Sequence, residues 1–588
     1  MKFPLLRALC LIAPLALPAT VHAQTPAQNS ARRAGEATIN GTVLSFDAAT
    51  GALKIAVESR VGEAAPSDAK SPFITVILPS DFKVLETLTK RGSLIAATGS
   101  WTDKGALQAR AIRVLTLEEA LTPPSGRIAQ GWPVSTGARI QASAVAAQLD
   151  GKGPLEVVVA AIGDAKNADK YGRNGAAKLW AWDNKGVRLS DWPVEVQSEA
   201  DRPGDGSNFW ISAPSVADLD GDEFDEIGMP MPQGNQNQRG FSLFWGDGTP
   251  WPTTFGRWDR PDAWSNMPLV DVTGDGTVDL ISGGLMMTPT GKTPRGWSSK
   301  NQVGSGYGIS WADMDGDGKL EGFMPHMEKN WWMADKPETQ IMVGLNNAGE
   351  PLKGWPQPIN SISVFAAVGD IVGDDTMEIV TIDFGGTLRA WTLDGQGVPG
   401  SKTGTNSQGQ TTRGAIRTGM SGSSPIALAD LDGDGKAEII AASQSGELLT
   451  LKADGSNWGT GRLGSFGSFA SVAVADLGGD GEMDIFVGGK WIRLTKDGPV
   501  SADIVPRDAQ IVGTPSIYDL DGDGKAEVLL ASADGRVWVF ETDREIKPEW
   551  LQWQTVSGSS RHGGAWVDPR KITPAIAKWA RGRFSPKD

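Results

Sequence analysis

One acidic nonapeptide limits what this chain can fold into. Its full form is Asp430-Leu431-Asp432-Gly433-Asp434-Gly435-Lys436-Ala437-Glu438, and related copies begin at Asp218, Asp271, Asp313, Asp370, Asp476 and Asp519. A decayed version starts at Gln148, so the motif recurs seven or eight times at separations of 42 to 70 residues. That period is the scale of one small sheet per repeat. Each copy sits between two short apolar stretches, such as Ile426-Ala427-Leu428-Ala429 and Ile439-Ile440-Ala441-Ala442, which reads as two strands joined by a tight acidic turn. Further strand signals follow, as in Arg389-Ala390-Trp391 and Val537-Trp538-Val539-Phe540, and a Trp-Pro step closes many units, at Trp132, Trp192, Trp251 and Trp355.

Four short strands per unit, repeated radially, describe a β-propeller, in which neighbouring blades share one continuous core. Residues 126–570 hold the repeats. Eight blades is the preferred count, and seven is the alternative if the decayed unit joins the C-terminal strands to close the ring.

The spacing of the loop carries its chemistry. Acids at positions one, three and five lie on one turn, and the acid at position nine returns from the next strand. Hard oxygen donors in such a cage suit Ca2+, and without a cation the clustered carboxylates would repel one another or take up protons. Four loops have all four acids: Asp218, Asp220, Asp222, Glu226; Asp313, Asp315, Asp317, Glu321; Asp430, Asp432, Asp434, Glu438; and Asp519, Asp521, Asp523, Glu527. Three have lost the third-position acid and are expected to bind more weakly: Asp271, Asp275 and Asp279, where Thr273 still offers an oxygen; Asp370, Asp374 and Glu378; and Asp476, Asp480 and Asp484. In the decayed loop Gln148 and Lys152 replace the first and fifth acids, so no cation is expected there. Ordinary polar turns would not repeat an acid at position nine, and an EF-hand would need its bidentate acid at position twelve between helices.

The loops and their apolar flanks resemble the FG-GAP or VCBS-type repeats of integrin α-subunit propellers and of secreted bacterial proteins. The resemblance spans about 126–570 and implies the propeller fold and calcium binding. Proteins with such repeats include adhesive receptors, carbohydrate-binding modules and polysaccharide lyases, so it leaves activity open. The integrin form carries a membrane span and stalk that are not visible here.

Residues 1–23 read as a secretory signal peptide: Lys2 and Arg7 precede an apolar run, and small residues stand before Gln24. The single cysteine, Cys10, would leave with it, which removes disulfides and thiolate chemistry from the mature chain. A secreted or periplasmic location is the expectation, with no membrane span. The formal charge of −15 is largely ligand charge that bound Ca2+ would offset, and with no basic stripe a nucleic-acid partner is not expected. Residues 24–35 read as a flexible N-terminus. Residues 36–117 show five strand signals and are expected to form a small OB-like β-barrel, an independent spacer joined by a 118–125 linker; residues 571–588 are a tail.

Catalytic signals are thin. His326 and His562 are the histidines outside the signal segment. A lyase would gain support if Tyr307, His326 and an arginine lined one pocket. Trp331 and Trp332, beside polar residues, are the candidate ligand-binding pair. The favoured reading is a calcium-stabilised binding or surface-interaction protein whose partner is a carbohydrate or an extracellular protein; an extracellular polysaccharide-active enzyme such as a lyase is the alternative.

Overall fold

The computed structural model describes residues 37–47, 52–62, 73–78, 94–102, 106–114 and most of 126–559, with His562, Ala565, Val567 and Lys571. Within 126–559 the larger stretches left out are 164–176, 198–211, 231–240, 253–266, 298–307, 328–339, 360–364, 399–403, 406–410, 419–424 and 463–470. The expectations for the signal peptide, for Tyr307 and for Trp331 and Trp332 therefore lie outside the described residues.

The chain is all-β, built from many antiparallel sheets. Five strands precede the repeats: β1 (Ala37–Asp47), β2 (Ala52–Gly62), β3 (Phe73–Ile77), β4 (Leu94–Trp101) and β5 (Leu107–Val114). β1 pairs with β2 and β4, β2 with β3, β3 in parallel with β5, and β5 with β4, so the pairing returns to its start. Leu53, Ile55, Val76, Ala97 and Leu107 are buried among these strands. β2 also meets the repeats at one edge: Ser59, Arg60 and Val61 pair with Gly461, Thr460 and Gly459.

Each acidic loop joins a short inner strand to a second strand that begins at or near the ninth-position acid. The inner strands are Val145–Ala147, Ser215–Ala217, Leu269–Val270, Ser310–Ala312, Phe365–Gly369, Ala427–Ala429, Ala473–Ala475 and Ile511–Tyr518. Most are three to five residues, buried on both faces, as small apolar side chains allow where strands of neighbouring sheets converge. The decayed unit forms its own sheet, Arg139–Ile140, Val145–Ala147, Glu156–Ile162, Ala177–Trp182 and Val194–Gln197.

Successive units are tied by recurring hydrogen bonds. The amide near the end of one loop donates to a carbonyl at the start of the preceding loop: Asp225 to Gln148 (2.7 Å), Leu320 to Val272 (3.1 Å) and Ala437 to Asp370 (2.9 Å). Leu155 makes the same bond to Leu520 (2.9 Å), which links the first unit to the last. Ser516 Oγ donates to the Ala144 carbonyl at 2.7 Å across the same junction. The Trp-Pro steps are ties of a second kind. Trp132 Nε1 donates to the Asn184 carbonyl (3.1 Å), Trp251 Nε1 to Pro289 (3.0 Å) and Trp355 Nε1 to Leu393 (2.7 Å), each a turn of the next unit. The approach is close enough that a Cβ on Gly354 would lie 1.9 Å from the Asp394 carbonyl oxygen, so only glycine fits there.

The chain also shares strands at its two ends. Gly126–Ile128 and Val134–Ser135 add to Arg536–Glu545 in the last sheet. Leu551–Trp553 adds to the inner strand Ala473–Ala475. Beyond it, Thr555 Oγ1 meets Ser516 Oγ at 2.6 Å, His562 Nδ1 meets Ser215 Oγ at 2.9 Å, and Ala565 bridges Val368. The C-terminal segment thus touches inner strands of four units. His562 has a φ of 57°, and its amide donates to the Ser559 carbonyl at 2.9 Å, which is a turn-ordering role. Complete burial pushes its imidazole pKa down to about 3, so the ring is neutral.

Candidate metal centres in the acidic loops

The loop backbone is built by its own carboxylates. In the copy at Asp430, Asp430 accepts the amides of Gly433 (2.7 Å) and Gly435 (3.0 Å), Asp432 accepts that of Asp434 (3.2 Å), and Asp434 that of Lys436 (2.9 Å). Glu438 Oε2 returns from the next strand to accept the Leu431 amide at 2.8 Å. Position six requires positive φ, which Gly435 supplies at 91°. Glu223 (74°) and Asp375 (65°) occupy the same position without glycine's freedom, at a cost on the order of 1 kcal/mol.

The ninth-position bond recurs in every unit: Glu226 to Leu219 (2.7 Å), Asp279 to Val272, Glu321 to Met314, Glu378 to Ile371 and Asp484 to Leu477 (all 3.0 Å), and Glu527 to Leu520 (2.7 Å). It also occurs in the decayed unit, where Glu156 accepts the Leu149 amide at 2.8 Å. The ninth acid therefore has a structural duty separate from any ion, and its repetition alone is weaker evidence for a metal than the spacing suggests.

The oxygens left over are stronger evidence. Four clusters bring three carboxylates within 4.8 Å of one another: Asp218, Asp220 and Glu226; Asp313, Asp315 and Glu321; Asp430, Asp432 and Glu438; Asp519, Asp521 and Glu527. These are the four loops with complete acid sets. The fifth-position acids Asp222, Asp317, Asp434 and Asp523 stand outside the clusters and cap the turn instead, each accepting an amide two residues on at 2.8 to 2.9 Å. Glu226 Oε1 and Asp519 Oδ1 are buried with no hydrogen-bond partner. An uncompensated buried carboxylate oxygen is costly, and a divalent cation among the clustered acids would satisfy it. In the loop at Asp271, which lacks the third acid, Asp279 Oδ1 and Thr273 Oγ1 are likewise buried and unpartnered. In the loop at Asp370, Asp374 accepts Thr376 Oγ1 at 2.6 Å and its carboxyl lies below the ordinary range because of that bond.

The ninth acids also take up protons more readily than ordinary carboxylates, in the decayed loop as well, where burial pushes Glu156 up to about 7. Burial, reinforced by neighbouring aspartates, pushes the Glu226 carboxyl up to about 8, Glu321 and Glu378 to about 7 and Glu527 to about 9, and raises Glu438 well above its ordinary value. Asp279 is raised to about 7 for the same reason. Without a cation these groups hold protons near neutrality.

Two loops answer the charge differently. In the decayed loop Gln148 Oε1 accepts the Gly151 amide at 2.7 Å, while its Nε2 donates to the Gly153 carbonyl at 3.1 Å. An amide thus closes the turn with no charge at position one. In the loop at Asp476 the guanidinium of Arg493, buried on the adjoining strand, pairs with Asp480, with Glu482 at 3.1 Å and with Asp484 at 3.7 Å. Asp484 is pushed up to about 7 by burial, with Arg493 pulling against it. The sequence offered this loop as a weak Ca2+ site; Arg493 was not singled out, although the loss of the acid at Gly478 and the exchange of a basic position-seven residue for Glu482 were visible signs.

His326 lies in the strand Glu321–Met327 beside Ile341 of Gln340–Leu345. Among the described residues, no helix is long and apolar enough to cross a membrane.

Comparisons with known proteins agree with this geometry in one segment. The FG-GAP-like repeat family matches residues 430–487, two of the acidic loops and the strands between them. A search of curated proteins finds no match. Among solved structures, the Vibrio cholerae biofilm matrix protein Bap1 is 14% identical, with a TM-score of 0.46 over 79% of this chain and 100% of its own. BamB from Moraxella catarrhalis is 13% identical (TM-score 0.36, 70% and 99% covered), and Saccharomyces cerevisiae Sqt1 is 12% identical (0.37, 71% and 99%). Scores this low carry no inference about function, and what is similar to a known family is the segment from Asp430 to Val487.

Proposed function

We propose that this chain is a secreted, calcium-stabilised β-propeller of eight FG-GAP-type blades that presents a rigid surface for binding a carbohydrate or an extracellular protein. The observation that carries the calcium reading is the coincidence of clustered acids with buried, unpartnered oxygens at Glu226 and Asp519. Asp218, Asp220 and Glu226 would hold one ion, with equivalent trios at Asp313, Asp430 and Asp519, and Asp271, Thr273 and Asp279 would hold a weaker one. Ca2+ suits this all-oxygen set. Its contribution is charge compensation, pinning the start of the second strand to the turn that follows the inner strand. Eight blades, rather than seven, is supported by the eight inner strands and by the bond from Leu155 to Leu520 that joins first unit to last. The pairing cycle of β1 to β5 supports an OB-like barrel in front of the propeller.

The binding role rests on a division of labour. The acidic turns are occupied by their own hydrogen bonds and by the ions they would hold, so recognition falls to loops carried on the ring. Trp331 and Trp332 are the residues proposed to contact a ligand, by stacking on a sugar ring. Glycan-array and surface-binding signals of the wild type should fall on Trp331→Ala, Trp332→Ala double substitution, with a loss of about 1 to 3 kcal/mol in binding if the pair is an anchor. Undiminished binding by a correctly folded double variant would remove the pair from the interface; no glycan signal with retained capture of an extracellular protein would favour the protein partner.

A further inference from the structure

The loop at Asp476 keeps the backbone of its relatives. Asp476 accepts the amides of Asp480 (3.1 Å) and Gly481 (3.0 Å), Asp480 accepts that of Glu482 (3.1 Å), and Asp484 that of Leu477 (3.0 Å). What differs is the side facing the acids. Arg493 stands directly across from Asp484 in the adjoining strand Lys490–Thr495. It is 6% exposed, and its guanidinium reaches Asp480, Glu482 and Asp484 together. Asp484 Oδ1, the counterpart of the oxygen left unpartnered in Glu226, accepts Trp491 Nε1 at 2.7 Å. Arg544 completes the surroundings: its Nη1 lies 3.9 Å from Asp480 Oδ2 and 3.7 Å from where a Cβ on Gly478 would stand.

We propose that Arg493 is the resident cation of this loop, so that the seventh unit is held by an internal guanidinium where its neighbours would be held by a metal ion. A planar guanidinium can donate to several carboxylates at once and stays protonated at any physiological pH. A metal ion would have to displace it from the acids. The loop at Asp430 gives the contrast: the partly exposed Lys452 Nζ approaches Asp432, at 3.6 Å, and leaves the other acids of that cluster to an ion.

The placement has a consequence for the whole ring. This loop is where the C-terminal segment docks: the amide of Asp476 donates to the Trp550 carbonyl (2.9 Å), that of Gly478 to Glu545 (2.8 Å), and Leu551–Trp553 pairs with the inner strand beside it. A cation covalently part of the chain cannot dissociate when external calcium falls. The C-terminal strand therefore remains anchored in metal-free protein while the calcium loops loosen.

Two measurements on the full chain test this, the first resting on the calcium reading and the second independent of it. Bound calcium per chain, measured by elemental analysis after dialysis, should drop by one in Glu438→Gln and stay at the wild-type value in Asp484→Asn and in the more exposed Asp480→Asn. Loss of an ion in either of the latter two overturns the proposal. In excess chelator, Arg493→Met should lower the Tm, and adding Asp480→Asn to it should raise the Tm again, because one uncompensated carboxylate has been removed. Simple addition of the two single-variant shifts overturns the proposal even if the protein binds no calcium at all.

Discussion

The loops at Asp430 and at Gln148 follow the same turn but carry different chemistry. Both return a ninth-position glutamate to the amide of position two, at 2.8 Å in each case. At Asp430 two further carboxylates converge on that glutamate. At Gln148 a neutral amide takes the first position and satisfies both of its own polar atoms inside the loop. Comparison separates two properties that the repeated motif presents as one: hydrogen bonds make the turn, and the converging acids make the demand for a cation. The loop at Asp476 is the third solution, with the acids kept and Arg493 supplied.

The largest expected effect is removal of metal from the wild type. A ligand that binds only the native state stabilises by mass action, about 2.7 kcal/mol per site at a hundredfold excess over Kd, so emptying four sites should lower Tm by about 10 °C. Calorimetry with calcium and with chelator measures it, and coincident transitions would end the calcium reading.

The same comparison sets a pH dependence. In metal-free protein Glu226, Glu438 and Glu527 have folded-state pKa values above their ordinary ones because of burial. A raised carboxyl pKa means that the folded state binds protons more tightly than the unfolded one, so stability falls as pH climbs from the ordinary carboxylate range, near 4.5, towards 8 or 9. With calcium bound, the ionised form is the one required, and the trend reverses. The gap between the calcium and chelator Tm values should therefore widen from pH 5 to pH 8. A constant gap would mean that the ninth acids are not coupled to ion binding.

Much of the architecture was legible because its signals are local and periodic. The four clusters fall in the four loops with complete acid sets but hold only three acids of each, since a nine-residue turn with a returning strand places positions one, three and nine together while position five caps the turn. The roles of Arg493, of β2 pairing with residues 459–461, and of the C-terminal strand beside Ala473–Ala475 were not legible. Each depends on which strand lies next to which, and nothing in the motif encodes its neighbours. The Trp-Pro steps fall between these cases: their recurrence was visible, but the carbonyls that Trp132, Trp251 and Trp355 reach belong to other units.

Within one loop the effect should be smaller. Asp432→Asn removes one carboxylate of a cluster of three and should lower Tm in calcium by a few degrees, with one ion fewer bound. Asp150→Asn, at the matching position of the decayed loop, should lower Tm by less and change no bound ion, because Gln148 leaves that loop one carboxylate short of the trio. Equal shifts for the two, measured side by side in calcium, would mean that the acids of the Asp430 loop serve only the turn.

The smallest effect is expected from giving the decayed loop back part of its charge. Gln148→Glu keeps the acceptor for the Gly151 amide but removes the Nε2 donor, leaving the Gly153 carbonyl without its 3.1 Å partner. It also adds a carboxylate to a loop where burial already pushes Glu156 up to about 7, with Asp150 contributing to that shift. A lost hydrogen bond of this kind costs about 1 kcal/mol, and Lys152 at the fifth position disfavours a compensating ion. The variant should therefore melt slightly below wild type, by the same amount with calcium and with chelator. If calcium restored its stability, acids at positions one, three and nine would suffice to recruit an ion whatever stands at position five, and Lys152 would not be what keeps the decayed loop free of metal.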